Sequence, residues 1–483
     1  MLGEKKLIAI VLSGFLSLPG MGYAATIYAS SCSRSHVQTA IDSSTTGDTV
    51  VIPSGSCTWT SGVSIPSSKK LSIIGAGIGS TVITWNRDNT VFALNESGSR
   101  LSRMTIDGQV TVSGGNGWRI DHVSFVNAAS NSGRGIWIIP TSTGEGTAAP
   151  GLVDNCTFNR RRIMVNGVYS SSLYNVSKVW DDPLDLGTIN KTVYIEDNTF
   201  RHVEVHNAVD AQNAGAYVFR FNTVYDTYVE LHGMAETMHR GSRKMELYGN
   251  DFIREAVSGW YQIARINSGT GVVFDNTYTG SESAVGTAAF LLNEIRTATN
   301  TGTDGAGLCN GSSPFDGNTA GQNGWPCRDQ IGTSTDSWLW TSGNPYPPQS
   351  LAPYYEWNNT QNGRNMTFSI LSGSEVHIKA NRDFYSETGS FDGTSGVGRG
   401  TIGSRPTTCT TGVAYWATDE GEWNSTHDGP DGRLYKCTAT NTWTLYYTPY
   451  TYPHPLRGEG GGIKIGGGGA PDIQTPRGLR IFN

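Results

Sequence analysis

Six short runs between residues 120 and 278 resemble one another, and this repetition constrains the fold more than any other feature of the chain. Each run reads as a strand that ends in a polar residue, a small polar residue and usually an aromatic residue. The runs are IDHVSF (120–125), VDNCTF (153–158), IEDNTF (195–200), RFNTV (220–224), LYGNDF (247–252) and FDNTY (274–278). Equivalent positions are 33, 42, 24, 28 and 26 residues apart. Strands of a β-sandwich recur every 8 to 12 residues or so, whereas longer periods are typical of solenoids, whose coils bury their apolar faces by stacking.

Aligning the runs places similar residues in two columns. Stacked asparagine side chains can hydrogen-bond along a column, and stacked aromatic side chains can fill an interior. The first column holds Val123, Cys156, Asn198, Asn222, Asn250 and Asn276, and the second holds Phe125, Phe158, Phe200, Val224, Phe252 and Tyr278. We therefore predict an all-β protein with a parallel β-helix of about ten coils, rather than a β-sandwich with recurrent turns.

The composition fits this fold class and argues against some functions. Charged residues make up 16% of the chain and 61 residues are glycine, whereas an average protein is about one quarter charged. The formal net charge of -6 and the pI near 5.9 give no basic footprint for a nucleic acid. Affinity for any other polyanion therefore has to come from a local cluster of cations.

The amino terminus predicts export. Lys5 and Lys6 precede an apolar run at residues 7–18, and the small-residue site Gly22-Tyr23-Ala24 follows. This pattern predicts a signal peptide at residues 1–24. No later segment has eighteen uninterrupted apolar residues. We therefore expect a secreted protein without a membrane span, located outside the cell, in a periplasm or at the cell surface.

Seven cysteines in an exported chain predict disulfides. Proximity in sequence favours three local pairs and leaves Cys156 unpaired. The predicted pairs are Cys32–Cys57, Cys309–Cys327 and Cys409–Cys437.

The segment VQTAIDSSTTGDTVVIPSGSCTW (37–59), followed by LSIIGAG (71–77), resembles the amino-terminal cap and first coils of the pectin-lyase-like superfamily. In this resemblance residues 37–41 form a cap helix, Gly47-Asp48 forms a turn and residues 50–52 form the first strand. The resemblance implies a right-handed parallel β-helix over residues 30 to about 290. The fold hosts lyases, hydrolases, esterases and phage tailspikes, so it does not fix the reaction.

Several polar residues recur about one coil apart in the middle of the predicted solenoid. Asp182, Asp210, His232 and Arg265 are separated by 28, 22 and 33 residues. Residues one coil apart lie side by side in a parallel β-helix, so these residues are expected to line one groove. We expect the polar loop at residues 233–242 to project from the side of the solenoid, where the superfamily keeps its active sites.

Such a groove suits β-elimination of a uronic-acid polymer. A cation neutralises the substrate carboxylate, and a base then removes the acidified proton on the adjacent carbon. His232 is the predicted base, and the predicted neutralising cations are Arg240, Arg243 and Arg265. Asp210 is a further predicted catalytic residue of the same groove. Each residue also has a structural alternative. His232 could be a turn residue bonded to backbone, and Arg240 and Arg243 could pair with Glu236 and Glu246.

Other residues of the groove are predicted to bind the polymer or a metal ion. The predicted substrate-binding residues are Arg160, His206, Lys244, Trp338 and Trp340, and Lys244 is also an alternative base. Many β-helix lyases neutralise the substrate with calcium, and here Asp181, Asp182 and Asp185 offer oxygen ligands. A calcium ion is therefore a possible cofactor, although three acids on a loop are also common without one.

Two other functions remain open. The order acid pair, acid, His232-Gly233 and Arg265-Ile266 is similar in outline to polygalacturonase-type inverting hydrolases. However, residues 209–212 read Val-Asp-Ala-Gln and lack that family's paired aspartates, and Asn267 stands where its lysine usually follows. A non-catalytic carbohydrate-binding protein, such as an adhesin or tailspike-like module, would use the same groove without a base.

The sequence predicts six regions. After the signal peptide come a β-helix at 25–295, an aromatic and glycine-rich insertion with a disulfide at 296–361, and the last coils at 362–406. A disulfide-tied module at 407–457 and a flexible glycine-rich tail at 458–483 complete the chain. The sequence makes no prediction about the oligomeric state.

Overall fold

The computed structural model describes most of the chain. The described residues are 24–85, 89–126, 133–140, 149–167, 180, 185–202, 206–233, 240–255, 262–280, 290–296, 308–309, 327–334 and 349–458. Among them no helix is both long and apolar enough to cross a membrane. Most of the predicted signal peptide and tail, and most of the insertion at 296–361, lie outside these residues, so the predicted region boundaries stay predictions.

The described residues form one α-helix and 34 strands. The helix is α1, Arg34–Ser43. Strands before residue 170 are β1 Thr26–Tyr28, β2 Thr49–Ile52, β3 Gly55–Thr58, β4 Ser72–Gly75, β5 Thr81–Thr84, β6 Thr90–Leu94, β7 Arg100–Asp107, β8 Gln109–Ser113, β9 Trp118–Phe125, β10 Gly133–Ile139, β11 Gly151–Asp154, β12 Thr157–Asn159 and β13 Arg161–Asn166. Strands from 193 to 292 are β14 Val193–Glu196, β15 Thr199–Arg201, β16 Asn207–Gln212, β17 Ala216–Arg220, β18 Thr223–Tyr225, β19 Tyr228–Leu231, β20 Lys244–Tyr248, β21 Asp251–Ile253, β22 Ala264–Ile266, β23 Thr270–Phe274, β24 Thr277–Thr279 and β25 Phe290–Leu292. The remaining strands are β26 Tyr354–Trp357, β27 Thr360–Gln361, β28 Arg364–Asn365, β29 Phe368–Ile370, β30 Phe384–Tyr385, β31 Val397–Gly400, β32 Ala414–Ala417, β33 Arg433–Ala439 and β34 Thr442–Tyr447.

Two long sheets dominate the described part of the chain. The first sheet has 21 strands and the second has nine, in the order β29-β25-β22-β19-β16-β13-β10-β8-β6. Strands pair in parallel with the equivalent strand of the next repeat, as β14 does with β17 and β16 does with β19. The hairpin of β27 and β28 is an antiparallel exception within the first sheet. The protein is therefore an all-β structure with long parallel sheets, in agreement with the period of the repeats.

The amino-terminal cap has the predicted local structure. Ser33 accepts a hydrogen bond from the backbone N–H of His36 and begins α1, whose buried side chains include Val37 and Ile41. The turn that follows contains Gly47 with φ 97°, a left-handed conformation that glycine adopts readily. β2 then starts the first sheet by pairing with β1 and β4.

The predicted asparagine column is a continuous buried hydrogen-bond ladder. The side-chain oxygen of Asn222 accepts from the backbone N–H of Asn198 at 2.9 Å, and that of Asn250 accepts from Asn222 at 2.9 Å. Each Nδ2 donates to carbonyls of its own coil and the preceding coil, and also to the next asparagine. Asn359 extends the ladder beyond the predicted column by accepting from Asn276. Every repeat is thereby tied to the next through buried amides.

The predicted aromatic column lies beside the ladder and fills the interior. The rings of Phe125 and Phe158 stack at 5.0 Å, and those of Phe158 and Phe200 stack at 4.6 Å. Val224, Phe252 and Tyr278 continue the column as buried residues.

The three predicted disulfides are confirmed. They are Cys32–Cys57, Cys309–Cys327 and Cys409–Cys437. Cys156 is a buried free cysteine in the ladder column, where its backbone N–H donates to Asn198.

A third, smaller sheet of β31–β34 packs on the outer face of the first sheet. Trp416 lies 4.8 Å from Trp357 between ring centroids. The following segment, residues 450–457, is fixed by buried charges: Arg220 donates to the carbonyls of Tyr450 and Thr451 and pairs with Glu196. This sheet includes β31, which precedes the predicted start of the module at residue 407.

Loss of one asparagine from the ladder should destabilise the protein strongly. We expect Asn222→Ala to lower the free energy of unfolding by roughly 3 kcal/mol, because buried backbone groups of two coils lose their partners. Asn365→Ala, at an exposed strand position, is the matched control and should change stability by less than about 0.5 kcal/mol. Urea denaturation measures both, and equal stability of the two variants would contradict the role of the ladder.

Candidate functional site

The outer face of the second sheet carries a column of polar side chains in the middle of the molecule. Successive strands pair so that Met164 aligns with Asp210, Asp210 with Glu230, and Glu230 with Arg265. Their sequence neighbours point inward, because successive side chains of a strand alternate between faces. Val209, Ala211, Val229 and Leu231 accordingly belong to the buried core.

His232 stands at the centre of this polar column. It follows Glu230 by two residues and so leaves the strand on the same face. Its Nδ1 lies 3.2 Å from Oδ1 of Asp210 and 3.7 Å from Oε1 of Glu230. The side chain of His232 is 28% exposed, whereas those of Asp210 and Glu230 are 3% and 7% exposed. The site therefore presents an accessible imidazole that is oriented by two buried carboxylates.

Two arginines and one asparagine amide contact the carboxylates of Asp210 and Glu230. Nη1 of Arg162 lies 3.4 Å from Oδ2 of Asp210, and Nε of Arg265 lies 3.9 Å from Oε1 of Glu230. Asn207 donates from Nδ2 to Oε2 of Glu230 at 3.0 Å. The contact of Arg265 is long, and its side chain is 35% exposed. Arg265 is thus the cation of this cluster that is best placed to turn toward a ligand.

His206 and Tyr228 border the cluster. Burial, and then the charge of Arg162, lower the pKa of His206, while Asp210 opposes the shift. Burial, and then the charge of Glu230, raise the pKa of Tyr228. His206 is therefore neutral and Tyr228 remains protonated at neutral pH.

Asp210, Glu230 and His232 could together hold a metal ion, because one ligand atom from each lies within 4.8 Å of the others. Calcium prefers six or more oxygen ligands, whereas this cluster supplies an imidazole nitrogen, so it fits calcium poorly. The predicted calcium ligands Asp181 and Asp182 lie outside the described residues. Asp185 is exposed, and its carbonyl accepts a hydrogen bond from Lys244. Calcium binding there stays a prediction.

Arg240 and Arg243 are buried, and their predicted role in neutralising the substrate stays a prediction. Arg240 is 1% exposed and makes a bidentate ion pair with Asp329, at 2.8 and 2.9 Å. Burial raises the pKa of Asp329, but Arg240 outweighs that effect and the pKa is lowered. Both guanidinium groups lie over the ring of Trp180, and Arg243 is also buried. The described end of the expected projecting loop is thus packed inside the protein.

Lys244 is also separated from the site, because it begins β20 on the first sheet. Its side chain is fully buried, and Nζ lies 3.0 Å from Oε1 of Glu246. Glu246 further accepts from the hydroxyl of Tyr447 in the third sheet. The partner of Glu246 is therefore Lys244, not the predicted Arg240 or Arg243.

The three consecutive arginines at 160–162 lie in three different environments. Arg160 occupies a turn with φ 57°, and its backbone N–H donates to the carbonyl of Arg201. Arg161 is buried against Asp107 at 2.7 Å. Arg162 reaches the site. The predicted ligands Trp338 and Trp340 lie outside the described residues.

The sequence did not single out Glu230, Asn207 or Tyr228 for the site. The signal for Glu230 was present, because strand alternation places it beside His232. The same alternation places Tyr228 on this face, two residues before Glu230. Asn207 gave no such signal, since a register shift between Asn207 and Val209 brings it opposite Tyr228.

Comparisons with known proteins give little further information. No family model and no curated protein matches the chain. A solved structure of a PL6 family polysaccharide lyase from Pseudopedobacter saltans superposes with a TM-score of 0.37 and 12% sequence identity, covering 74% of this chain and 99% of that one. This likeness is too distant to support an argument about function.

The burial of Arg240 predicts a structural role. We expect Arg240→Ala to destabilise the protein by about 3 kcal/mol, since it leaves Asp329 charged and buried. Arg265→Ala removes an arginine with a longer and more exposed contact, and should cost less than about 1 kcal/mol. Urea denaturation compares the two variants. An Arg240→Ala protein as stable as Arg265→Ala would show that the ion pair does not matter.

Proposed function

We propose that the protein is a secreted carbohydrate-active enzyme that cleaves an acidic, uronic-acid-containing polysaccharide by β-elimination. We further infer that the two long sheets are faces of a right-handed parallel β-helix. The observation that carries the proposal is the accessible imidazole of His232, bound to buried Asp210, together with the half-buried guanidinium of Arg265, which contacts the same oxygen of Glu230 as the imidazole does. It combines a base with a cation, the two groups that elimination requires.

His232 suits the role of the base. A hydrogen bond from Nδ1–H to Asp210 selects the tautomer in which Nε2 carries the lone pair. Nε2 takes the proton from the carbon next to the uronate carboxylate, and Asp210 then stabilises the imidazolium. This is the orienting role that a buried aspartate plays for a catalytic histidine in other enzymes.

The uronate carboxylate and the leaving oxygen of the substrate also have candidate partners. Arg265 neutralises the uronate carboxylate and so stabilises the carbanion-like transition state. The electrons of the broken C–H bond form the new double bond, and the glycosidic C–O bond breaks. The leaving oxygen needs a proton, and Tyr228 fits this role because it stays protonated and precedes Glu230 by two residues on the same face.

Inverting hydrolysis is less well supported. It requires two carboxyl groups roughly 6.5 to 9.5 Å apart, with a water between them. Asp210 and Glu230 are register partners, and both approach the same atom of His232, at 3.2 and 3.7 Å. One oxygen of Asp210 lies within 4.8 Å of one oxygen of Glu230, which is closer than the spacing that inverting hydrolysis requires.

A non-catalytic carbohydrate-binding role is the alternative from another class, since arginines alone can retain a polyanion. Incubation with polygalacturonate, alginate and chondroitin sulfate separates the possibilities. Ultraviolet absorbance of an unsaturated uronate indicates a lyase. New reducing ends without that absorbance indicate a hydrolase, and retention without products indicates a binding protein.

Substitutions test the assigned roles on whichever polymer is cleaved. We expect His232→Ala to lower kcat by about a hundredfold or more with binding little changed, because it removes the proton acceptor. Arg265→Ala should weaken binding and turnover together, by about 1.5 to 3 kcal/mol, because it removes a charge-assisted contact.

His122→Ala is the matched control for His232→Ala. His122 also pairs with an aspartate through Nδ1, at 2.8 Å from Asp121, but it belongs to the first sheet. Its loss should leave turnover unchanged. Full activity in a folded His232→Ala protein would remove His232 from the mechanism.

A further inference from the structure

A second group of cations lies on the same face of the second sheet, on the amino-terminal side of the candidate site. Arg134 on β10 is the register partner of Arg162 on β13. Arg162 in turn contacts Asp210 on β16, the next strand of the sheet. Neighbouring strands are about 4.8 Å apart. Arg134 therefore stands about 10 Å from the polar column at Asp210, along the direction in which the strands stack.

Arg134 is held in place by an aromatic ring. Its guanidinium carbon lies 4.3 Å from the ring centroid of Trp137. Trp137 points outward, because its neighbours Ile136 and Ile138 belong to the buried core. A guanidinium stacked on an indole keeps its N–H groups in a plane parallel to the ring, and this fork matches a carboxylate.

Trp137 also shares the column of the candidate site. It aligns with Met164, which aligns with Asp210.

We propose that Arg134, Trp137 and Arg162 form a subsite for a further acidic sugar of the polymer whose reacting residue lies at His232. The inference rests on the proposed function for the nature of the ligand. Arg134 binds the carboxylate of that sugar, and Trp137 is a positioning residue that fixes the guanidinium. Arg162 is the member of the subsite nearest to the candidate site, and it also offsets the charge of Asp210.

Binding is measured apart from cleavage, by retardation in native gels containing polygalacturonate, alginate, chondroitin sulfate or uncharged dextran. We expect Arg134→Ala to weaken the apparent affinity for the retarding acidic polymer at least tenfold and to leave migration in dextran unchanged. Arg399→Ala is the control, because Arg399 is an exposed arginine in an ion pair with Glu387 and belongs to the third sheet, not to the second. It should bind like the unmodified protein.

The positioning role of Trp137 leads to a separate prediction. Trp137→Ala should weaken retardation about as much as Arg134→Ala, and the double variant should be no weaker than either, because both changes remove one contact. Trp137→Phe keeps a ring beneath the guanidinium and should recover part of the affinity. Arg134→Lys should not recover affinity, because an ammonium group lacks the forked N–H groups of a guanidinium.

Chain length distinguishes the subsite from the reaction centre. If the polymer is cleaved, Arg134→Ala should lower kcat/KM for the long polymer and leave that for the shortest cleaved oligosaccharide unchanged. Loss of retardation in a protein that cleaves nothing would support the subsite while refuting elimination. A folded Arg134→Ala protein with unchanged affinity and unchanged length dependence would overturn the subsite, and a parent protein that no acidic gel retards would overturn both.

Discussion

The register between successive repeats is the constraint on which the rest of this structure depends. Asn198, Asn222, Asn250 and Asn276 fix that register, because each side-chain oxygen accepts from the backbone of the preceding repeat. A buried amide without its partners is costly, so a repeat cannot slip without breaking the ladder. A slip of one residue would also turn each outward side chain into the core.

The candidate site is a consequence of that register. Asp210, Glu230 and Arg265 come from three repeats, and they meet because their strands align position by position. The imidazole of His232 joins them from the end of β19. The two acids are nearly buried and the imidazole and Arg265 are more open, so a ligand meets the base and the cation before it meets the negative charge. This order of exposure suits the acidic polymer that we propose as the substrate.

The sequence predicted much of the fold because the fold is repetitive. The asparagine and phenylalanine columns and the disulfides follow from local patterns or from a regular period, whereas the helix at the amino terminus was implied by the resemblance of residues 37–59 to a known superfamily. The pairing of Asp210 with His232 was predictable for the same reason, since one coil separates them. The burial of Arg240, Arg243 and Lys244 was not predicted, because it depends on contacts that sequence spacing does not reveal. Asp329 and Trp180 enclose the two arginines, and Glu246 binds the lysine.

The decisive experiment is a crystal structure of the His232→Ala protein with an acidic oligosaccharide. We expect the sugar to lie on the outer face of the second sheet and to run along the direction of strand stacking. One uronate carboxylate should contact Arg265, and the carbon bearing the acidic proton should face the space left by the imidazole. An oligosaccharide bound to the first or third sheet, with the second sheet bare, would contradict it.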